Sequence, residues 1–143
     1  MPTEIKYTAS ATATGDGRLG HARTSDGQID VDLVPPKELG GAGGATNPEQ
    51  LFATGYAACF LGALKAGAKQ HEITLQDVAV TAEVGIGPRE DVGFGLAVKL
   101  IVEFGGGVSQ ADAEKAVEVG HTICPYTHAT KGNVEVTTEV EVA

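Results

Sequence analysis

The chain has 143 residues, of which 20 are glycine and none is tryptophan, and its formal net charge is −9. One domain of this length buries about two-thirds of its surface on folding. The negative charge argues against a nucleic-acid backbone or an anionic membrane surface as partner.

The opening MPTEIKYTAS has no apolar core after a basic start, so it is not expected to act as a secretory signal. Reduced thiols and a cytoplasmic setting follow as expectations. Ile5 to Thr14 alternates as a strand does, and Thr14 to Arg18 has the Gly/Asp content of a turn. A short strand is predicted around His21 to Thr24. Ser25-Asp26-Gly27 then turns the chain into Ile29 to Val34, where Ile29, Val31 and Leu33 alternate with Asp30 and Asp32. Pro35-Pro36 stops this strand. The Gly-rich run Leu39 to Ala45 reads as an irregular flap; no Gly-Lys-Ser/Thr follows it, so it is not a phosphate loop.

A long helix should start at Thr46 or Asn47, with Pro48 suited to its first turn and Glu49 complementing its dipole, and run to about Lys69. Its apolar stretch is interrupted by Thr54, Gly55, Gly62, Lys65 and Gly67, the pattern of a core helix rather than a membrane span. Val78 to Gly85 and Phe94 to Phe104 read as a hairpin. After Gly105-Gly106-Gly107, Ser109 and Asp112 form a capping box for a second helix. Pro125 ends that helix at Cys124. Val134 to Val142 alternates as a last strand, with Glu135, Glu139 and Glu141 on a solvated face. The order is βββ-α-ββ-α-β, an α+β fold in one domain over residues 1–143. The first helix is apolar on nearly all sides, so one small sheet cannot cover it. Its small residues Ala53, Gly55, Ala57, Ala58, Gly62 and Ala63 would admit a second helix, which predicts an intimate homodimer.

The two cysteines, Cys59 and Cys124, occupy unlike settings. Thiolate is the reactive form of sulfur, and an apolar helix disfavours it by desolvation. Cys59 lies about 16 Å from the start of its helix, so that dipole helps little. Lowering a thiol from about 8.5 to about 6 takes roughly 3.4 kcal/mol. One guanidinium about 4 Å away supplies about 4 kcal/mol at an effective dielectric near 20. The chain has three arginines, Arg18, Arg23 and Arg89. Cys124, at a helix C-terminus, is the poorer first nucleophile and an adequate resolving thiol. By spacing alone, three other readings remain: two unrelated core cysteines, a zinc set of His121, Cys124, His128 and Cys59, or a hydrophobic-ligand carrier with passive thiols.

The blocks TNPEQLFATGYAACF and CPYTHATKGN, with LGGAGG and the early Gly17-Arg18, closely resemble the organic hydroperoxide resistance (Ohr) proteins of the Ohr/OsmC superfamily over essentially the whole chain. The wording NPEQLF and CPYTHATKGN is closer to the Ohr branch than to the OsmC branch, whose peroxide range is broader. The resemblance implies an intertwined dimeric thiol peroxidase of the OsmC/Ohr-like fold, without cofactor or metal. Such proteins reduce organic hydroperoxides, alkyl or fatty-acid, to alcohols and are re-reduced by dihydrolipoyl groups or another dithiol. It further implies that Cys59 is peroxidatic, Cys124 resolving, Arg18 the activating cation and Glu49 the carboxylate holding that arginine. The chain departs from the family wording at Leu19, Thr127, His128 and Lys131. Glu49 and Cys59 are about 15 Å apart along a straight helix. Either Glu49 therefore serves the partner subunit's site, or the helix bends near Gly55. Leu39, Phe52, Phe94 and Tyr126 are candidates for an apolar pocket, and each would equally serve as plain core.

Overall fold

Tight turns fold the first part of the chain into a three-stranded antiparallel sheet in the computed structural model, which describes all of residues 1–143. The strands are β1 (Ala11–Gly15), β2 (Gly20–Thr24) and β3 (Asp30–Leu33), in that spatial order. Asp16 and Leu19 close the first turn, flanked by Gly15 and Gly17 at φ +71° and +72°, a region side chains avoid. In the second turn the Asp26 carboxylate accepts the Gln28 N–H and the Thr24 hydroxyl, which holds its pKa below the usual range. The predicted strand from Ile5 is shortened at its start. β2 ends at Thr24, opposite Ala11, so residues 5–10 have almost no ladder left to join. A 3₁₀ turn, Lys37–Leu39, leads into the Gly-rich segment, which is otherwise irregular as expected.

Two compact units divide the chain, Met1–Leu51 and Phe52–Ala143. The helix α1 (Pro48–Gln70) begins in the first, where the Asn47 side-chain oxygen accepts the Gln50 N–H as an N-cap. The second unit has its own sheet, order β4-β5-β6. β4 (Ala79–Pro88) and β5 (Phe94–Phe104) form the predicted hairpin, with β4 reaching three residues further than expected because Pro88 still pairs with Phe94. β6 (Glu135–Val142) lies parallel to β5. A parallel neighbour requires a crossover. It consists of α2 (Gln110–Ile123), whose N-cap Ser109 accepts the Asp112 N–H, and a further helix, α3 (Pro125–Thr130). The predicted element order holds, with α3 added. Pro125 ends α2 and also occupies the first turn of α3, a position that suits proline.

The core of the second unit is built from three sources: Tyr56, Phe60, Leu64 and Ala68 of α1, Val98, Leu100, Val102 and Phe104 of β5, and Ala113, Ala116 and Val117 of α2. α1 is long and apolar enough to cross a bilayer by length and composition, but these side chains make it a core helix. α1 and α2 cross antiparallel and very closely. A Cβ on Gly67 would stand 2.7 Å from Val119 Cγ1, and one on Gly120 would stand 3.1 Å from the Leu64 Cα. Glycine at these two positions lets the helix backbones nearly touch. The small residues Thr54, Ala58 and Gly62 lie on another side of α1 and stay exposed.

Two outcomes follow. Gly120→Ala forces a methyl group against Leu64 backbone, which cannot rotate away, so chemical denaturation should report a loss of about 1–3 kcal/mol. An unchanged midpoint would show that the crossing has slack. The second concerns His21, whose ring nitrogens face Asp32 and Asp30. Bonds to Asp32 first and Asp30 second raise its pKa above 6.5. The imidazolium therefore stabilises the folded sheet below that value, and the contribution is lost as pH rises through the raised folded pKa. Melting curves should fall more steeply with rising pH for the native chain than for His21→Gln; parallel curves would refute the ion-pair role.

Candidate active site: a facing thiol pair

The close crossing places Cys59, in the middle of α1, opposite Cys124, at the junction of α2 and α3. Both are free thiols, 3.5 Å apart, with the Cys124 S–H donating to the Cys59 sulfur. Cys124 is fully buried and Cys59 only half-buried. Burial pushes the Cys59 thiol pKa up, and the hydrogen bond with Cys124 adds to this. The backbone N–H of Tyr126, in the first turn of α3, acts the other way by donating toward the Cys59 sulfur. The two sulfurs are thus close enough for disulfide chemistry, but the Cys59 thiol is not activated by its immediate surroundings.

Phe52, Tyr56 and Cys59 share one face of α1, being spaced by four and three residues. Tyr126 stacks on that face, its ring 6.1 Å from Phe52 and 5.6 Å from Tyr56 between centroids. Gly55 makes room for it, since a Cβ there would lie 3.2 Å from the Tyr126 hydroxyl. Of the four apolar pocket candidates, Phe52 and Tyr126 therefore come together. Phe94 stands 66% exposed at the start of β5, and Leu39 is exposed at the end of the 3₁₀ turn.

The first unit holds the predicted arginine and its carboxylate. Arg18 grips Glu49 with both ends of its guanidinium, at 2.7 Å and 3.1 Å. The fork matches the carboxylate. Arg18 holds the Glu49 carboxyl below its usual range, while the hydrogen bond to Glu49 raises the Arg18 pKa in turn. The pair forms within one chain, and α1 runs on through Gly55 as one uninterrupted helix. The other two arginines are occupied locally, Arg23 near Asp30 and Arg89 with Asp91 in the β4–β5 loop.

The zinc set does not assemble. Both His121 ring nitrogens are taken by threonine hydroxyls, His128 Nε2 bonds the Thr122 carbonyl, and no three His, Cys, Asp or Glu side chains converge as metal ligands. Sequence reasoning missed two parts of the site. One is the Tyr126 N–H, a group every non-proline residue carries; only Pro125, as the first residue of a helix, could have signalled it. The other lies beside the thiols: the Tyr56 hydroxyl meets those of Thr127 and Thr130.

Known proteins resemble this chain in both sequence and fold. Residues 41–139 match the family model described as OsmC-like protein. The organic hydroperoxide resistance protein of Xanthomonas axonopodis pv. citri is 50% identical over 138 residues, covering 95% of this chain and 95% of that protein. Among solved structures, an organic hydroperoxide resistance protein from Legionella pneumophila superposes with a TM-score of 0.92 at 47% identity, covering 97% of this chain and 100% of that one. OhrB of Bacillus subtilis superposes with a TM-score of 0.86 at 41% identity, covering 96% and 100%. On this likeness in sequence and fold, the chain belongs to the organic hydroperoxide resistance branch of the OsmC-like family.

Proposed function

We propose that this protein is a cysteine-based peroxidase that reduces organic hydroperoxides to alcohols. The observation that carries this reading is the pair of free thiols at 3.5 Å, one partly accessible and one buried. Family membership supports peroxide-related redox chemistry for such a pair. The Cys59 thiolate attacks the distal oxygen of ROOH, and the O–O bond breaks. The alkoxide takes a proton and leaves as ROH, with Cys59 left as a sulfenic acid. Cys124 then condenses with it, releasing water and forming a disulfide. The rings of Phe52 and Tyr126 offer an apolar seat for R, which favours alkyl and fatty-acid hydroperoxides over hydrogen peroxide.

Because burial raises the Cys59 pKa, turnover needs a cation, and Arg18 clamped by Glu49 fills that role. With α1 unbroken between Glu49 and Cys59, the clamp acts on the thiol of the partner subunit in a homodimer. The exposed stripe Thr54, Ala58 and Gly62 supplies a surface on which a second α1 packs closely. A dihydrolipoyl or other dithiol restores the thiols in a reducing, cytoplasmic setting. It attacks Cys59, the accessible sulfur, and Cys124 leaves as the buried thiolate.

Thiol loss and intact mass, followed after cumene hydroperoxide or hydrogen peroxide is added, test the reading. Both thiols should disappear with the mass of two hydrogens, faster with the organic peroxide; thiols that stay free for minutes would refute it. Cys59→Ser should abolish turnover, whereas Cys124→Ser should consume about one peroxide per chain and stall. Multiple turnovers by Cys124→Ser without a thiol reductant would remove the resolving role. A mixed dimer of a Cys59→Ser chain with an Arg18→Ala chain should retain roughly half the native turnover, since one of its two sites stays complete across the interface. No turnover in that dimer would place clamp and thiol in the same chain.

A further inference from the structure

A chain of hydroxyl and imidazole groups runs beside the thiols and is not used by the cycle above. His121 lies in the last turn of α2, three residues before Cys124, its ring half-buried with its centroid 4.6 Å from that of Phe60. Its Nδ1 is 3.1 Å from the Thr127 hydroxyl on α3, and its Nε2 is 3.0 Å from the Thr138 hydroxyl on β6. The Thr127 hydroxyl also meets the Tyr56 hydroxyl on α1, at 3.2 Å. Tyr56, wholly buried, bonds Thr130 at 3.2 Å, and Thr130 donates to the Tyr126 carbonyl at 2.9 Å. One imidazole thus joins β6 to α3, and through Thr127 to α1.

The positions along the helices explain what this network constrains. Tyr56 stands three residues before Cys59 on the same face of α1, and Thr127 stands three residues after Cys124. The Tyr56–Thr127 bond therefore spans the same two elements as the Cys59–Cys124 contact, one turn away. A disulfide requires the sulfurs to approach by about 1.5 Å from their present separation and to hold a narrow dihedral range. That approach depends on how α3 is held against α1. Burial keeps the His121 pKa below that of an ordinary histidine, so its ring is neutral, with one nitrogen donating and one accepting. Such a ring can orient both hydroxyls without placing a charge in the core.

We propose that His121 is a positioning residue for disulfide formation: by orienting the Thr127 hydroxyl it keeps the Tyr56–Thr127 strut closed and Cys124 aligned with Cys59. In that step the Cys124 sulfur gives up its proton and attacks the Cys59 sulfenic sulfur. The S–O bond breaks, the departing hydroxide takes a proton to leave as water, and no outside oxidant is consumed. The sulfenic intermediate rests on the peroxidase reading; the positioning role concerns disulfide closure by any oxidant.

Quenched-flow mass spectrometry of the native chain, His121→Ala, His121→Asn, His121→Gln and Thr127→Val separates sulfenic acid formation from closure. Formation should be unchanged, while closure slows about tenfold in His121→Ala and Thr127→Val, as expected from lost alignment. Asparagine places its amide near the Nδ1 position and glutamine near Nε2. His121→Asn should therefore restore closure by keeping the Thr127 arm, and His121→Gln should not. Closure by diamide, which needs no peroxidase chemistry, should show the same ranking. If the native chain forms no sulfenic acid but the diamide ranking holds, the peroxidase reading fails and the positioning role stands. Native closure rates in His121→Ala or Thr127→Val, or equal behaviour of the Asn and Gln variants, would overturn the proposal.

Discussion

The structure of the second unit depends on how closely α1 and α2 approach. Two glycines set that distance, one on each helix, with Val119 filling the space over Gly67 and Leu64 backbone lying against Gly120. From this crossing the facing pairs can be counted outward: residue 67 with 119, 64 with 120, 60 with 121 and 59 with 124. The aromatic ring on His121 and the sulfur contact are both consequences of it. A Cβ at either glycine would stand 3.1 Å or less from the facing helix, so the neighbour would have to give or the helices move apart.

Around that geometry the setting of the sulfurs is largely apolar. The sulfurs sit among Phe52, Tyr56, Phe60 and Tyr126, and the groups close to Cys59 on balance favour the neutral thiol. In the first unit Arg18 and Glu49 hold each other in fixed geometry. A resting thiol that is not permanently ionised is protected from indiscriminate oxidation. Fixing the guanidinium on a carboxylate lowers the entropy needed to present it, at the cost of sharing its charge. The neutral hydroxyl network then supports closure without adding charge beside the sulfurs.

Much of this was legible in the sequence. Period-two runs such as Ile29–Val31–Leu33 and the capped helix starts at Asn47 and Ser109 gave the element order, because short-range backbone and packing rules decide those features. Sequence reading and family resemblance singled out Cys59, Cys124, Arg18 and Glu49, and two contacts join these residues in pairs. The contact between α1 and α2 was not foreseen: α2 settles on Gly67, whose bulky partner Val119 is 52 residues away in sequence, and no local pattern announces it. α3 was missed because six residues are too few for a helical period to show. The His121 network escaped for a related reason: threonine at 127, 130 and 138 reads as ordinary loop and strand polarity until the fold brings the hydroxyls together.

The parallel placement of β6 beside β5 has a consequence for how the protein is made. The crossover from β5 to β6 carries Cys124 and α3, and Thr138, which anchors His121, lies in the strand that follows. The thiols are 65 residues apart in the chain. At about 5–20 residues per second, Cys59 is synthesised roughly 3 to 13 seconds before its partner exists. During that interval a single cysteine sits on a nascent helix with neither its mate nor its strut. β6 emerges after both sulfurs, so a chain halted before it would carry both thiols without the strand that anchors His121 beside them.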